Sequence, residues 1–409
     1  MPVPLLRPFA GLRPNPEHAA EVAAPPYDVL SSDEARVLAE GKRWSFLHIS
    51  KPEIDLDPAI DIYDAKVYAK ARENLDAMVK AGVLKRDDIP CFYVYRIKMG
   101  DHIQTGLVGG GSVAAYDENR IRKHEFTRPD KEDDRVRQID ACNAQTGPVL
   151  LAHRNDPEVD AAIIATTACP PAYSVTAADG IEHTLWVMDD DVLIDIVVAA
   201  FEAMPALYIA DGHHRSAAAS RVAAMRRGKA KGDSHESFLV VTFPIHEMKI
   251  LDYNRVVRDL NGLSREQFLA ALAAEFEVVA VDAIAKPEAP RSFGMYLKGQ
   301  WYRLDVKNPA PADPVARLDV SLLSDRLLTP VLGIADLRKD KRIDFVGGRR
   351  GMAELEKRVN SGEMAVAFAV YPTQMEDLVA VAEAGQVMPP KSTWFEPKLA
   401  DGLVSYPLG

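Results

Sequence analysis

Residues 206–226 read Ala206-Leu-Tyr-Ile-Ala-Asp-Gly-His-His-Arg-Ser-Ala-Ala-Ala-Ser-Arg-Val-Ala-Ala-Met-Arg226, and three kinds of local structure follow one another in them. The apolar run Ala206–Ala210 has the composition of a buried strand, and the Ala-rich stretch from about Ser216 that of a helix. Between them lies a polar turn, Asp211-Gly212-His213-His214-Arg215. Such a junction gathers free backbone N–H groups, two imidazoles and a guanidinium at the positive end of a helix dipole. It is suited to anions: Arg215 can fork two phosphate oxygens, and Gly212 lets the backbone approach closely. The plain alternative is that Asp211 caps the helix and the histidines sit at the edge of a core. Five such residues on one junction favour the anion site.

Outward from this turn the chain alternates. Leu185–Met188 reads as a strand and Asp190–Ala203 as a helix, and upstream Gly147–His153 is a short apolar strand. Cys91–Lys98 and Ile103–Gly111 are β-rich runs joined by Met99-Gly100-Asp101-His102, which has hairpin chemistry. The glycines of 106–111 fit sheet geometry better than a phosphate cradle. Ser32–Gly41 and Tyr63–Gly82 carry apolar residues at helical spacing. The charged run Arg122–Arg135 reads as a solvated loop, with a helix after it through Ala144. Toward the C-terminus come a helix at 264–276, a hairpin at 293–306, a helix at 351–360 and a strand at 364–371. The expected organisation is a mixed α/β (α+β) chain in three regions, helix-rich 1–90, a core at 91–260 and an α/β region at 261–409.

Composition narrows the function. The chain has 409 residues with 60 acidic and 49 basic side chains, a formal charge of −11, which disfavours nucleic acid unless the basic residues gather on one face. The best basic patch, Arg226-Arg227-Gly228-Lys229-Ala230-Lys231, suits a solvated helix end. Cys91, Cys142 and Cys169 are widely spaced and lack a CxxC pair, so reduced thiols in a cytoplasm are expected. The N-terminus is broken by prolines and does not read as a signal peptide, and no apolar run reads as a membrane span. No HxxxH or HExxH helix, P-loop or GxSxG elbow occurs, so no metal ligands are assigned and a hydrolase reading ranks last.

The Asp211–Arg215 turn with its Ala-rich helix resembles the nucleotide-binding motif of the ParB/sulfiredoxin-like superfamily. Over most of its length the chain also resembles a bacterial and archaeal family of unknown function. That likeness is carried by Ala24-Pro-Pro-Tyr-Asp-Val29, His124-Glu-Phe-Thr127 with Asp134-Arg135, the 211–215 turn, Leu332-Gly-Ile334 and Met388-Pro-Pro-Lys-Ser-Thr-Trp-Phe-Glu-Pro-Lys398. The resemblance implies a ParB/sulfiredoxin-like nucleotide-binding core with additional N- and C-terminal α/β regions. It further implies a small-molecule kinase, since relatives with this fold phosphorylate free L-serine with ATP or ADP. Asp211, Gly212, His213, His214 and Arg215 would then surround the nucleotide phosphates.

Such a kinase needs a proton acceptor near the attacking hydroxyl and a divalent cation, Mg²⁺, on the phosphates. Glu125 is the candidate base, with His124 beside it as the second candidate catalytic residue and Thr127 as a substrate-binding one; a solvated glutamate paired with Arg122 or Arg128 is the alternative. Arg135 suits a substrate carboxylate and Asp134 stands beside it, although a helix-start ion pair explains both. Asp28, after Pro25-Pro26-Tyr27, would face a ligand amine or a metal, or cap the next helix. Lys391-Ser392-Thr393 and Gly347–Gly351 are further polar stretches without an assigned role. A different class, a ParB-like nucleotide switch or DNA-associated protein, uses the same turn without small-molecule turnover.

Overall fold

The computed structural model describes residues 3–409. They form two units, one of residues up to Met248 together with Pro397–Gly409, the other Lys249–Glu396. The first unit therefore takes in the helix-rich region expected at 1–90, residues 91–248 of the expected core, and a C-terminal segment that returns to it.

The first unit is built on a nine-stranded mixed sheet. Its strands are β1 (Leu6–Arg7), β2 (Phe92–Met99), β3 (His102–Ser112), β4 (Ile121–Arg122), β5 (Val149–His153), β6 (Tyr173–Thr176), β7 (Glu182–Met188), β8 (Leu207–Asp211) and β9 (Ser237–Pro244). They lie in the order β4-β8-β5-β9-β3-β2-β7-β6, with β1 beside β3. The pairs β8–β4 and β9–β5 are parallel and the others antiparallel, so the fold is mixed α/β. The hairpin forms as its turn chemistry requires, Met99 pairing with His102. The glycines of β3 allow close packing: a Cβ on Gly109 would lie 2.9 Å from Leu6 Cδ1, and one on Gly111 2.9 Å from Val240 Cγ1.

Five longer helices accompany the sheet: α1 (Ala65–Lys80), α2 (Pro129–Cys142), α3 (Pro157–Thr167), α4 (Asp191–Ala203) and α5 (His213–Arg226). Val197 and Phe201 of α4 and Ala219 and Ala223 of α5 join Phe92, Leu207, Ile209 and Val240 in one buried cluster. Each large side chain so buried contributes about 1.5–3 kcal/mol. The small alanines let α5 lie close on the sheet, which fixes its N-terminus at the end of β8.

Two sequence expectations change here. The run 122–135 is not a loop throughout: α2 begins inside it, with Pro129 in the first turn and Asp130 and Glu132 at the positive end of the dipole. Several of its charges meet α5, Arg221 lying 2.7 Å from Asp133 and Arg226 2.9 Å from Asp140, while Asp134 and Arg135 turn inward. The second change is that α5 starts at His213 rather than Ser216, because Gly212 alone makes the turn, with φ +98°.

The second unit is a six-stranded antiparallel sheet of β10 (Tyr253–Val257), β11 (Phe276–Val281), β12 (Ser292–Leu297), β13 (Gln300–Val306), β14 (Ile343–Gly347) and β15 (Val366–Val370). Their order is β11-β13-β12-β15-β10-β14. Its longer helices are α6 (Arg265–Leu272), α7 (Gly351–Asn360) and α8 (Met375–Glu383). Residues 391–393 belong to a turn in this unit that is tied to itself, Ser392 Oγ donating to the Pro389 carbonyl at 2.6 Å. Among the described residues no helix is long and apolar enough to cross a membrane.

Candidate functional site

The site grows from the end of β8. Ala206–Ala210 is buried, and β8 ends on Asp211, whose carboxylate is left at the sheet's edge where α5 begins. Gly212 is the N-cap: its carbonyl accepts from the Ser216 N–H at 3.0 Å, and no side chain caps the helix. The first-turn amides of α5 are thus without a side-chain cap, which removes the plain alternative that Asp211 caps the helix. A Cβ on Gly212 would lie 3.1 Å from Arg215 Nε and 3.3 Å from Val149 Cα, besides demanding a left-handed backbone. Gly212→Ala should cost about 2 kcal/mol and weaken anion binding with it; equal melting temperatures for variant and wild type would refute this account of the turn.

The two histidines hold the 124–128 segment through their Nε2 atoms. His213 is 4% exposed, and its Nε2 accepts from the His124 backbone N–H at 3.4 Å. His214 Nε2 accepts from the Arg128 N–H at 3.1 Å. Both rings therefore carry their proton on Nδ1. Burial first, and then the His124 ring packed edge-on at 4.5 Å, keep His213 well below its ordinary pKa and neutral. Burial also pushes His124 down, to about 4, and lowers His214. These clamps bring Glu125 to the head of α5, with its Oε2 3.9 Å from His213 Nδ1 and half of its side chain exposed. Thr127 is engaged elsewhere, its hydroxyl donating to Glu132.

Arg215 faces the other way. Its guanidinium donates to the Pro148 carbonyl and lies 3.7 Å from Asp28 and 3.8 Å from Asp211. Burial works against its charge, but Asp28 and Asp211 outweigh it and raise its pKa. Asp211 in turn receives Lys398 Nζ at 3.0 Å. Burial would raise its pKa, yet Lys398 and Arg215 together hold it well below the usual carboxylate range. Asp28 is thus an Arg215 partner and not a helix cap; Ser31 caps the helix that follows it.

Arg215 also lines a narrow cleft with Tyr27, Ser50, Arg135, Gln145 and Asp401. Asp134 grips Arg135 through two hydrogen bonds, at 2.6 and 3.0 Å, and accepts from Tyr68 at 2.9 Å. The Arg135 guanidinium lies over the Tyr27 ring, 3.9 Å from its centroid. Burial lifts the Tyr27 phenol to about 12 and would lower Arg135, but Tyr27 and Asp134 leave Arg135 raised. Arg135 is thus both an ion-pair partner and a wall of the cleft.

Lys398 and Asp401 were missed in the sequence. They arrive on the returning C-terminal segment, anchored by reciprocal backbone bonds between Asp401 and Ala24 at 2.9 and 3.1 Å. Lys398 ends the Met388–Lys398 motif, which was a signal; nothing local marks Asp401. Asp401 is 1% exposed, and neither carboxylate oxygen has a hydrogen-bond partner among the described residues. Burial raises it from 3.8 to about 7, opposed by Arg215, reinforced by Asp28, and eased by the nearby Arg135 and the Tyr27 N–H, which does not reach hydrogen-bond geometry.

A carboxyl whose pKa is raised on folding binds more protons folded than unfolded, so its stabilising effect declines as pH rises from about 4 to about 7. Asp401→Asn should abolish that decline and gain on the order of 2 kcal/mol at neutral pH. Parallel stability-against-pH curves for wild type and variant would refute the assignment.

This arrangement belongs with a family match over most of the chain. The family described as "Protein of unknown function (DUF1015)" matches residues 6–321. The chain belongs to this family. The match spans Asp28, Glu125, Arg135 and the 211–215 turn, and stops short of Lys398 and Asp401. No curated protein matches the chain.

Solved structures resemble it distantly. A conserved hypothetical protein from Pyrococcus furiosus is 14% identical with a TM-score of 0.35, covering 69% of this chain and 91% of its own. A free serine kinase in complex with AMP is 12% identical with a TM-score of 0.34, covering 70% and 89%. SbnI from Staphylococcus aureus, truncated at its C-terminus, is 13% identical with a TM-score of 0.39, covering 74% and 87%. At these values the likeness transfers no activity.

Proposed function

We propose that the chain is a kinase that moves a phosphoryl group from ATP, or ADP, to a hydroxyl of a free small metabolite, with L-serine, giving O-phosphoserine, as the leading acceptor. The observation that carries this reading is the meeting of Glu125 with the head of α5, Oε2 lying 3.9 Å from His213 Nδ1. A partly exposed carboxylate thus stands beside a helix N-terminus that offers uncapped amides, next to the buried Arg215. Anionic phosphates suit the amides and the guanidinium.

In the step itself the acceptor oxygen attacks the terminal phosphorus, the bond from that phosphorus to the leaving nucleotide oxygen breaks, and Glu125 takes the hydroxyl proton. His213 and His214 act as positioning residues, since they hold the backbone that carries Glu125. His124 packs on His213 and keeps it dry. Serine as acceptor rests on the motif resemblance, and Arg135 is the candidate partner for its carboxylate.

Mg²⁺ has no protein cage here. Among the described residues no group of three or more potential ligands converges, and Asp28 and Asp211 already face Arg215 and Lys398. A cation would come with the nucleotide's own phosphates, as such ions commonly do.

The test is turnover of the purified chain with ATP or ADP and Mg²⁺ against a panel of free amino acids and polyols, with products followed by mass. A phosphorylated hydroxyl acceptor is the expected result. Measurable nucleotide binding with no phosphorylated acceptor overturns it in favour of a nucleotide-binding switch.

A further inference from the structure

The cleft that Arg215 shares with Arg135 and Tyr27 holds polar groups that the proposed transfer does not use. Asp401 and Ser50 line it, and both Asp401 oxygens and Ser50 Oγ are buried without a hydrogen-bond partner among the described residues. Ser50 is 5% exposed and Asp401 1%. Burying a carboxylate without a donor is costly, and so is burying a lone hydroxyl. Two such groups from distant parts of the chain, facing one small space, point to a ligand that supplies the missing donors. Gln138 and Gln145, which also line the cleft, are already used: Gln138 donates to the Ile49 carbonyl at 2.8 Å, and Gln145 bonds Ser237 and Leu239 at 3.0 Å.

The chemistry of this lining is specific. Asp401 accepts only when ionised, and Ser50 can accept beside it, so the group that satisfies both carries at least two donors. The space is about 20 Å³, enough for one water-sized group. A primary ammonium has that size and three donors. A carboxylate would meet Asp401 as a like charge; the Arg135 and Arg215 guanidiniums in the same wall suit it instead. Only the ammonium fits the space; the carboxylate of the same molecule would have to stay outside it, toward the guanidiniums.

We propose that Asp401 and Ser50 form the seat for the primary ammonium of the acceptor, making the cleft selective for α-amino acids over their deaminated counterparts. This deepens the kinase reading and rests on it for the identity of the acceptor, but the seat itself can be measured without turnover. It also gives the returning C-terminal segment a role, since that segment brings Asp401 into the unit that carries α5.

The experiment has two arms on the full chain. In the first, calorimetry without nucleotide compares L-serine with 3-hydroxypropionate, which lacks the amine, on wild type, Asp401→Asn and Ser50→Ala. Serine should bind wild type more tightly than 3-hydroxypropionate, and Asp401→Asn should weaken serine roughly 10- to 100-fold while leaving the deaminated acid unchanged. Ser50→Ala should weaken serine several-fold in the same selective way. In the second arm, if transfer is observed, KM for serine should rise in both variants with kcat little changed.

Equal binding of the two acids to wild type, or equal loss of both in the variants, overturns the seat and leaves a structural water as the occupant. Selective binding without any phosphoryl transfer keeps the seat and removes the kinase. Transfer whose serine KM is indifferent to Asp401→Asn keeps the kinase and removes the seat. Should Asp401→Asn fail to fold, Ser50→Ala and the wild-type preference between the two acids decide the matter.

Discussion

Glu125→Gln lowers the rate of phosphoryl transfer by about 10²- to 10⁴-fold, the usual worth of a general base, while nucleotide affinity and thermal stability stay near wild type. The reason lies in where the carboxylate sits. Its side chain is half exposed, and His213 beside it is held neutral by burial, so a glutamine, whose amide oxygen still accepts, can stand in its place. The amide keeps the shape and loses only the ability to take the acceptor's proton. Steady-state kcat and KM with a serine acceptor, beside nucleotide titration, check this. A variant as fast as wild type would strip Glu125 of its role while leaving the anion site standing.

Arg215→Ala acts on the fold as well as on the ligand. The guanidinium is buried and faces Asp28, Asp211 and the orphan Asp401, so its removal leaves three acidic groups around an empty space. Breaking a wholly buried pair costs about 3–5 kcal/mol; here Asp28 and Asp211 keep partial access to water, so about 3 kcal/mol is expected. Nucleotide binding should be lost with it. Chemical denaturation and nucleotide titration read the two effects separately. Wild-type nucleotide affinity in a folded Arg215→Ala protein would remove Arg215 from the phosphate site.

Much of this was written locally. The hairpin from Phe92 to Ser112 followed from its β-rich runs and its Gly-Asp turn, and the junction at 206–226 from a buried strand meeting an Ala-rich helix. What misled was also local. The density of charge in 122–135 hid the first turns of α2, because ion pairs to α5 and a favourable dipole, not apolar periodicity, hold that end. The His213–His214 pair also has a part that its spacing did not show: the Nε2 of each accepts from the backbone of a segment almost ninety residues upstream, at His124 and Arg128.

Those two hydrogen bonds could not be read from spacing, although they are what brings Glu125 to the turn. Lys398 and Asp401 were invisible for a similar reason: they reach the site only because the chain returns to the first unit after completing the second. Residue types at the site were legible, then, where strand and helix propensity placed them. Long-range partners were not, since they depend on which backbone groups happen to need satisfying.

The most direct test follows the acceptor's own oxygen. Serine labelled with ¹⁸O in its side-chain hydroxyl is incubated with the chain, ATP and Mg²⁺, and the product is analysed by mass. Attack by the hydroxyl retains the label in the bridging ester oxygen of O-phosphoserine, and that is the predicted result. Nucleotide hydrolysed to inorganic phosphate with serine recovered unchanged, or nucleotide bound and never turned over, would contradict it.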